Sequence, residues 1–416
     1  MTWRLLSNQR QRSISVQFLA ADTPVDVHRV DSASASWLVL VQDARTEALY
    51  LPRGHAEHEV RDQWLSARCR LGDRVAAAEA VGQPEAWPMA PAHREPVSVV
   101  IPTKDRPTQL RRCLIAAKTA ICPGDELIVV DNGLLGASRR VAEECGATCV
   151  HEPRPGVAFA RNRGAAEASN EIVVFLDDDG MADRVLIGAL VAPLMAEQAV
   201  VATTGGVLGR DTTSLVGELF DARYPLFRGW QERRFAGGTG SRFSPFDVWQ
   251  VGPGAAMAWR RSAFQAHGGF DPALGEGTPA GGAEDSDLFR RALERGQTIV
   301  YTPLAVLWHD HPATRRELRR KMNHYTITGG AHATKIAVET GRMGAARLAV
   351  RQLGWLPRWL AVEAVQSVQG RPSLPLWGIA PYPVMTAVGA WRFLRHRASV
   401  RALADPADPP GSSSAT

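Results

Sequence analysis

The chain has 416 residues, 45% of them hydrophobic and 22% charged, a globular composition with material for a sizeable core and two or three domains. Its net charge of +5 is a mild basic excess with no aromatic-interleaved basic stripe, which argues against nucleic acid and leaves an anionic substrate or an acidic membrane surface to explain it. Five cysteines are too few and odd in number for a disulfide framework, and the start of the chain carries no apolar core of signal-peptide length, so a cytoplasmic protein is expected.

Residues 1–95 form a first unit, small and β-rich, with strands expected around 13–16 and 37–41, a helix over about 60–80, and a linker containing Pro84, Pro88 and Pro91. No chemical constellation surrounds any residue in it. From 96 to 312 the rhythm is strand, turn, helix, repeated. Strands are expected at 97–101, 126–130, 147–151 and 172–176, with helices at 107–118 and 156–168 and a later strand at 298–302. Such alternation implies an α/β domain built as a doubly wound sheet with helices on both faces. Residues 313–400 turn helical and basic, and 401–416 read as a disordered tail. Within 348–368, Trp355 and Trp359 sit among arginines, as in an interfacial helix. Residues 374–391 hold no charge, yet Pro375, Pro381 and Pro383 disfavour a regular span. Peripheral contact with the inner face of a membrane through 348–395 is one expectation, and a helix pair packed on the preceding domain is the other.

Chemistry concentrates where strands end. The run Ile172-Val173-Val174-Phe175-Leu176 stops at Asp177-Asp178-Asp179-Gly180, and in an open parallel sheet that end of a strand faces the ligand crevice. Asp177 and Asp179, two apart, suit a hard cation such as Mg²⁺ or Mn²⁺ holding a diphosphate, although capping of a following helix would also place aspartates there. After the first strand come Pro102, Thr103, Asp105 and Arg106, able to hold a base, a ribose and a phosphate. After the second comes Asp131, suited to a nucleobase or ribose, and Arg161 adds a cation. Further on, Glu284-Asp285-Ser286-Asp287 puts three carboxylates within four positions, more than a helix cap requires.

The segments 97–103, 156–164 and 175–179 together resemble the nucleotide-sugar half of family 2 glycosyltransferases of the GT-A fold, over roughly residues 96–312. The resemblance implies that Asp105, Asp131 and Asp178 belong to the donor site and that Asp177 and Asp179 are the D-x-D pair binding the metal. It further implies that Asp285, beside Glu284, is the catalytic base, that His309 reaches metal or diphosphate with His311 as its rival, and that Gly254 lies in an acceptor-side loop. Trp249 and Trp259 could stack on a sugar ring or pack in the core. The expected activity is inverting, metal-assisted transfer of one sugar from a nucleoside diphosphate, UDP for preference, to a saccharide, lipid-linked or small-molecule acceptor. The Gln-x-x-Arg-Trp element of processive synthases is missing, since Trp355 stands where the glutamine would. Two rival readings are a non-catalytic nucleotide-sugar-binding scaffold and a nucleotidyltransferase; the latter usually opens with a glycine-rich loop in place of Pro102-Thr103-Lys104-Asp105-Arg106.

Overall fold

The computed structural model describes residues 15–20, 36–42, 45–51, 94–133, 136–209, 215–224, 226–229, 231–237, 245–368 and 381–404. The expected helix over 60–80, the linker prolines and residues 405–416 lie outside the described residues.

Three N-terminal strands, β1 (Ser15–Ala20), β2 (Ser36–Gln42) and β3 (Arg45–Leu51), pair in that order as one small sheet, parallel between β1 and β2 and antiparallel between β2 and β3. The main sheet begins with β4 (Val97–Thr103), α1 (Pro107–Lys118), β5 (Glu126–Asp131), α2 (Ala137–Glu144), β6 (Thr148–His151), α3 (Val157–Glu167) and β7 (Ile172–Leu176). It continues with β8 (Gly180–Ala182), α4 (Leu186–Ala196), β9 (Val200–Gly209), α5 (Leu215–Arg223), β10 (Arg233–Ala236), β11 (Ala256–Arg260), α6 (Arg261–Ala266), α7 (Glu284–Glu294) and β12 (Thr298–His309). The strand order is β10-β12-β9-β11-β7-β4-β5-β6, with β8 on β12. The half holding β7, β4, β5 and β6 is parallel, whereas β11 runs antiparallel to both β7 and β9.

Why the sheet carries helices on both faces follows from its strands. Successive side chains of a strand point to opposite faces. In β7, Ile172, Val174 and Leu176 join one core with α1, α2 and α4, while Val173 and Phe175 join a second with α3, α6 and α7. The α/β architecture expected from the alternating pattern is therefore the architecture found. Gly164 lets α3 lie close on the sheet, because a Cβ there would stand 2.3 Å from Val100 Cγ1.

Two expectations change. β12 runs to His309, so Trp308 and His309 lie in the strand and not after it. The strand continues past Pro303 because the register shifts between Tyr301 and Val306, and a bulge tolerates proline. The C-terminal region consists of α8 (Arg315–Val368), broken at Gly341, and α9 (Tyr382–Ala404). Residues 382–391 thus open a continuous helix that carries Arg392, Arg395, Arg397 and Arg401, with no break at 400/401. Pro383 sits in its first turn, where a missing N–H costs nothing. α8 and α9 pack tightly together, with Gly389 meeting the backbone of Ile327 and Gly330 that of Thr386. Among the described residues, no helix is long and apolar enough to cross a membrane.

Candidate active site

Both acidic clusters open onto one cleft of about 810 Å³. Of the residues expected in a site, Pro102, Thr103, Arg106, Arg161, Asp177, Asp178, Asp179, Trp249, Gly254, Glu284, Asp285 and His309 line it, and Asp105 and Asp131 do not. Asp131 is 4% exposed and turns into its own loop, where Oδ1 accepts the Gly133 N–H at 3.0 Å. Asp105 is exposed, with a left-handed φ of 54°. The other described non-glycine residue with positive φ is Ala283 at 69°, immediately before Glu284, so backbone strain stands beside one acidic cluster and in the loop after β4.

Arg161 joins the clusters. Buried on α3, it donates from Nη2 to Asp177 Oδ1 at 2.6 Å and from Nη1 to Glu284 Oε1 at 2.5 Å. Burial alone would weaken its charge, but Asp177, Glu284 and Asp285 outweigh it and hold the guanidinium protonated more firmly than usual. Asp285 is fixed from two sides: Oδ2 accepts from Gly254 N at 2.7 Å and Oδ1 from Ser286 N at 2.6 Å. A Cβ on Gly254 would stand 2.6 Å from that of Asp285, so a side chain there and this carboxylate exclude each other. Burial raises the pKa of Asp285 and takes Glu284 to about 7, against the opposing pull of Arg161. A carboxyl titrating near neutrality in a cleft is suited to proton transfer.

The aspartate triplet divides its work. Asp178 turns inward, accepting from Thr103 Oγ1 at 2.7 Å, and burial raises it to about 6. It ties the end of β7 to the end of β4. Asp179 pairs with His309 Nε2 at 3.2 Å and Arg106 at 3.4 Å; these charges overcome burial and lower its pKa to about 2. His309 Nδ1 is buried without a partner. His311 does not line the cleft and packs edge-on to Phe220 at 4.9 Å between centroids.

Among the described residues, no group of three or more His, Cys, Asp or Glu is arranged to hold a metal ion unaided. A cation of the Mg²⁺ type takes one or two carboxylates and completes its shell with substrate phosphates and water, so Asp177 and Asp179 at the cleft are compatible with one only when substrate supplies the other ligands. Trp259 is wholly buried and stacks on Phe289 at 5.9 Å, which makes it core; Trp249 is half exposed at the cleft, with the Arg228 guanidinium 5.2 Å above its ring.

Residues 98–267 match the family model described as Glycosyl transferase family 2. This segment belongs to that family. The chain is 30% identical over 250 residues to the pre-mycofactocin glycosyltransferase of Mycobacterium tuberculosis, covering 59% of this chain and 48% of that protein. It is 26% identical over 235 residues to the probable glycosyltransferase YdaM of Bacillus subtilis, covering 52% and 51%. The chain therefore spans about half the length of these curated relatives. Among solved structures it is similar to the mannosyltransferase PcManGT of Pyrobaculum calidifontis, determined in complex with GDP-Man and Mn²⁺. That likeness has 24% identity and a TM-score of 0.47, covering 80% of this chain and 94% of the other.

Part of this cleft carries no motif in the sequence. Asn132 was passed over, yet its Nδ2 donates to Glu152 O and Arg154 O, both at 2.7 Å, and its Oδ1 accepts Gly156 N at 2.9 Å. The Asp-Asn-Gly turn after β5 was its signal. Lys321, His324, Tyr325, Thr328 and His332 line the cleft from α8, beyond the family segment, and no motif announces them. The charge of Lys321 helps hold Asp179 ionised, and His324 Nε2 faces Glu276 at 3.6 Å.

Proposed function

We propose that the chain is an inverting, metal-assisted glycosyltransferase that moves one sugar from a nucleoside diphosphate, most suitably UDP, to an acceptor hydroxyl. The observation that carries this reading is the Arg161 bridge from Asp177 to Glu284, the neighbour of Asp285, with both acidic clusters on one cleft. Asp285, held by two backbone N–H groups, takes the proton of the acceptor hydroxyl as its oxygen attacks the anomeric carbon and the bond to the diphosphate breaks. Arg106 and Lys321 stand where they can offset phosphate charge, and Asp177, Asp179 and His309 would hold the cation. That cation, when bound, supplies electrostatic stabilisation of the departing diphosphate.

The test pairs turnover with binding. Purified protein is screened against UDP- and GDP-sugars with Mn²⁺, with and without chelator, reading diphosphate release and thermal shift, since a ligand of the native state raises the melting temperature. A matching donor should give a chelator-sensitive shift, and Asp285→Asn should keep the shift while release falls by at least about a hundredfold. Near-wild-type release from Asp285→Asn overturns the assigned base, and chelator-insensitive turnover overturns the metal.

A further inference from the structure

Between Glu363 and Asp405 the sequence contains no acidic residue, while Arg371, Arg392, Arg395, Arg397 and Arg401 all lie there. Most of that stretch with described structure is α9, whose two sides differ. Gly389, Phe393 and Val400 are buried, with Gly389 against α8 and Phe393 and Val400 in an apolar cluster with Ala331 of that helix. Val384, Ala387, Trp391 and Leu394 repeat at helical spacing on the other side and all are exposed, Val384 by 61% and Trp391 by 55%. The Arg395 guanidinium lies 5.0 Å over the Trp391 ring, and Arg392 beside it is exposed. The helix therefore presents an outward apolar stripe headed by a tryptophan, followed by arginines with no intervening acid.

We propose that α9 docks on an anionic lipid surface, its Val384–Trp391–Leu394 stripe entering the headgroup boundary and Arg392, Arg395 and Arg397 meeting lipid phosphates. A soluble protein partner would not call for so uniform a sign of charge over so long a stretch, whereas an anionic bilayer attracts arginines and rewards an interfacial tryptophan. Docking lies flat, since no described helix can span the bilayer. Tyr382 in the first turn of α9 lines the cleft, nine residues or about 14 Å along the axis from Trp391. At about 100° per residue those nine positions also place Tyr382 on the side of α9 opposite Trp391, where it packs on Trp359 of α8. The docking surface does not depend on the reading of the cleft.

Flotation of the full chain with vesicles of phosphatidylcholine alone, and of phosphatidylcholine mixed with phosphatidylglycerol, tests this. Binding is expected to the anionic vesicles only, with a blue shift of tryptophan fluorescence and loss at high salt. Neutralising Arg392, Arg395 and Arg397 to Gln should cost roughly a hundredfold in partitioning, and the double variant Trp391→Ser, Leu394→Ser should abolish the blue shift. Unchanged circular dichroism confirms that both variants fold. The proposal is overturned if wild type ignores anionic vesicles, if the variants bind as wild type does, or if lipid-free protein self-associates through the stripe, in which case the partner is a second copy of the chain.

Discussion

At the scale of single residues, the site is organised by what surrounds Asp285. Gly254 has no Cβ because the carboxylate occupies that space. Gly254→Ala should therefore displace the base by a fraction of an ångström or more and lower kcat by about a hundredfold, with the donor-induced thermal shift retained. The pH response follows from Glu284, at about 7, and Asp285, also raised, both by burial. The proposed base must be ionised, so kcat/KM should rise with pH through an acidic limb displaced upward from the ordinary carboxylate range. Arg161 is the charge opposing those shifts, and Arg161→Met should move the limb alkaline by roughly 1–3 units, read from a pH–rate profile. Stability takes the opposite sign. Between 4.5 and about 7 the native state holds a proton at Glu284 that the unfolded chain has released, so stability falls as pH rises across that window. Aspartates at a strand end and the glutamate–aspartate start of a helix were legible because residue type and spacing alone signal them. Asp131 is less legible, because a carboxylate at a strand end can face a ligand or its own loop, and its Oδ1 accepts the Gly133 N–H.

At the scale of elements, the third acid of the cluster has a different role from its neighbours. Asp287 is fully buried and pairs with Arg290 and Arg291 of its own helix and with Lys335 of α8, at 2.8 Å from Nζ. Lys335 also pairs with Asp271. These charges overcome burial and hold the Asp287 carboxyl well below the usual range. The pair clamps α8 to α7, the helix that carries Glu284 and Asp285. Lys335→Met should destabilise the protein by roughly 3 kcal/mol, the low end for a broken buried pair because Arg290 and Arg291 still face Asp287; chemical denaturation measures it. Elements with strong periodicity, such as β7 and α1, were bounded correctly by hydrophobic pattern and by Pro107 at the helix start. The short α2 was overlooked, since of its eight residues the apolar ones known to be buried are only Val141 and Ala142.

At the scale of the whole molecule, the parallel half of the sheet was legible, with β4, β5, β6 and β7 and the helices α1 and α3 expected, whereas β8, β9, β10 and the antiparallel β11 were not. Alternating strand and helix patterns encode the order in which elements meet the sheet, so the doubly wound core follows from local signals. The wall contributed by α8 is long-range. Lys321, Tyr325, Thr328, His332 and Ile336 fall on one face of a helix, and such a stripe reads in sequence like any other helix surface. Their meaning comes only from where the helix lands. That placement has an evolutionary consequence: the strand ends that line the cleft and the face of α8 opposite them belong to separate stretches of sequence. Under the proposed function, substitutions on that single face would redirect which molecule receives the sugar while leaving the sheet beneath untouched, so lineages sharing this segment would be free to diverge in product.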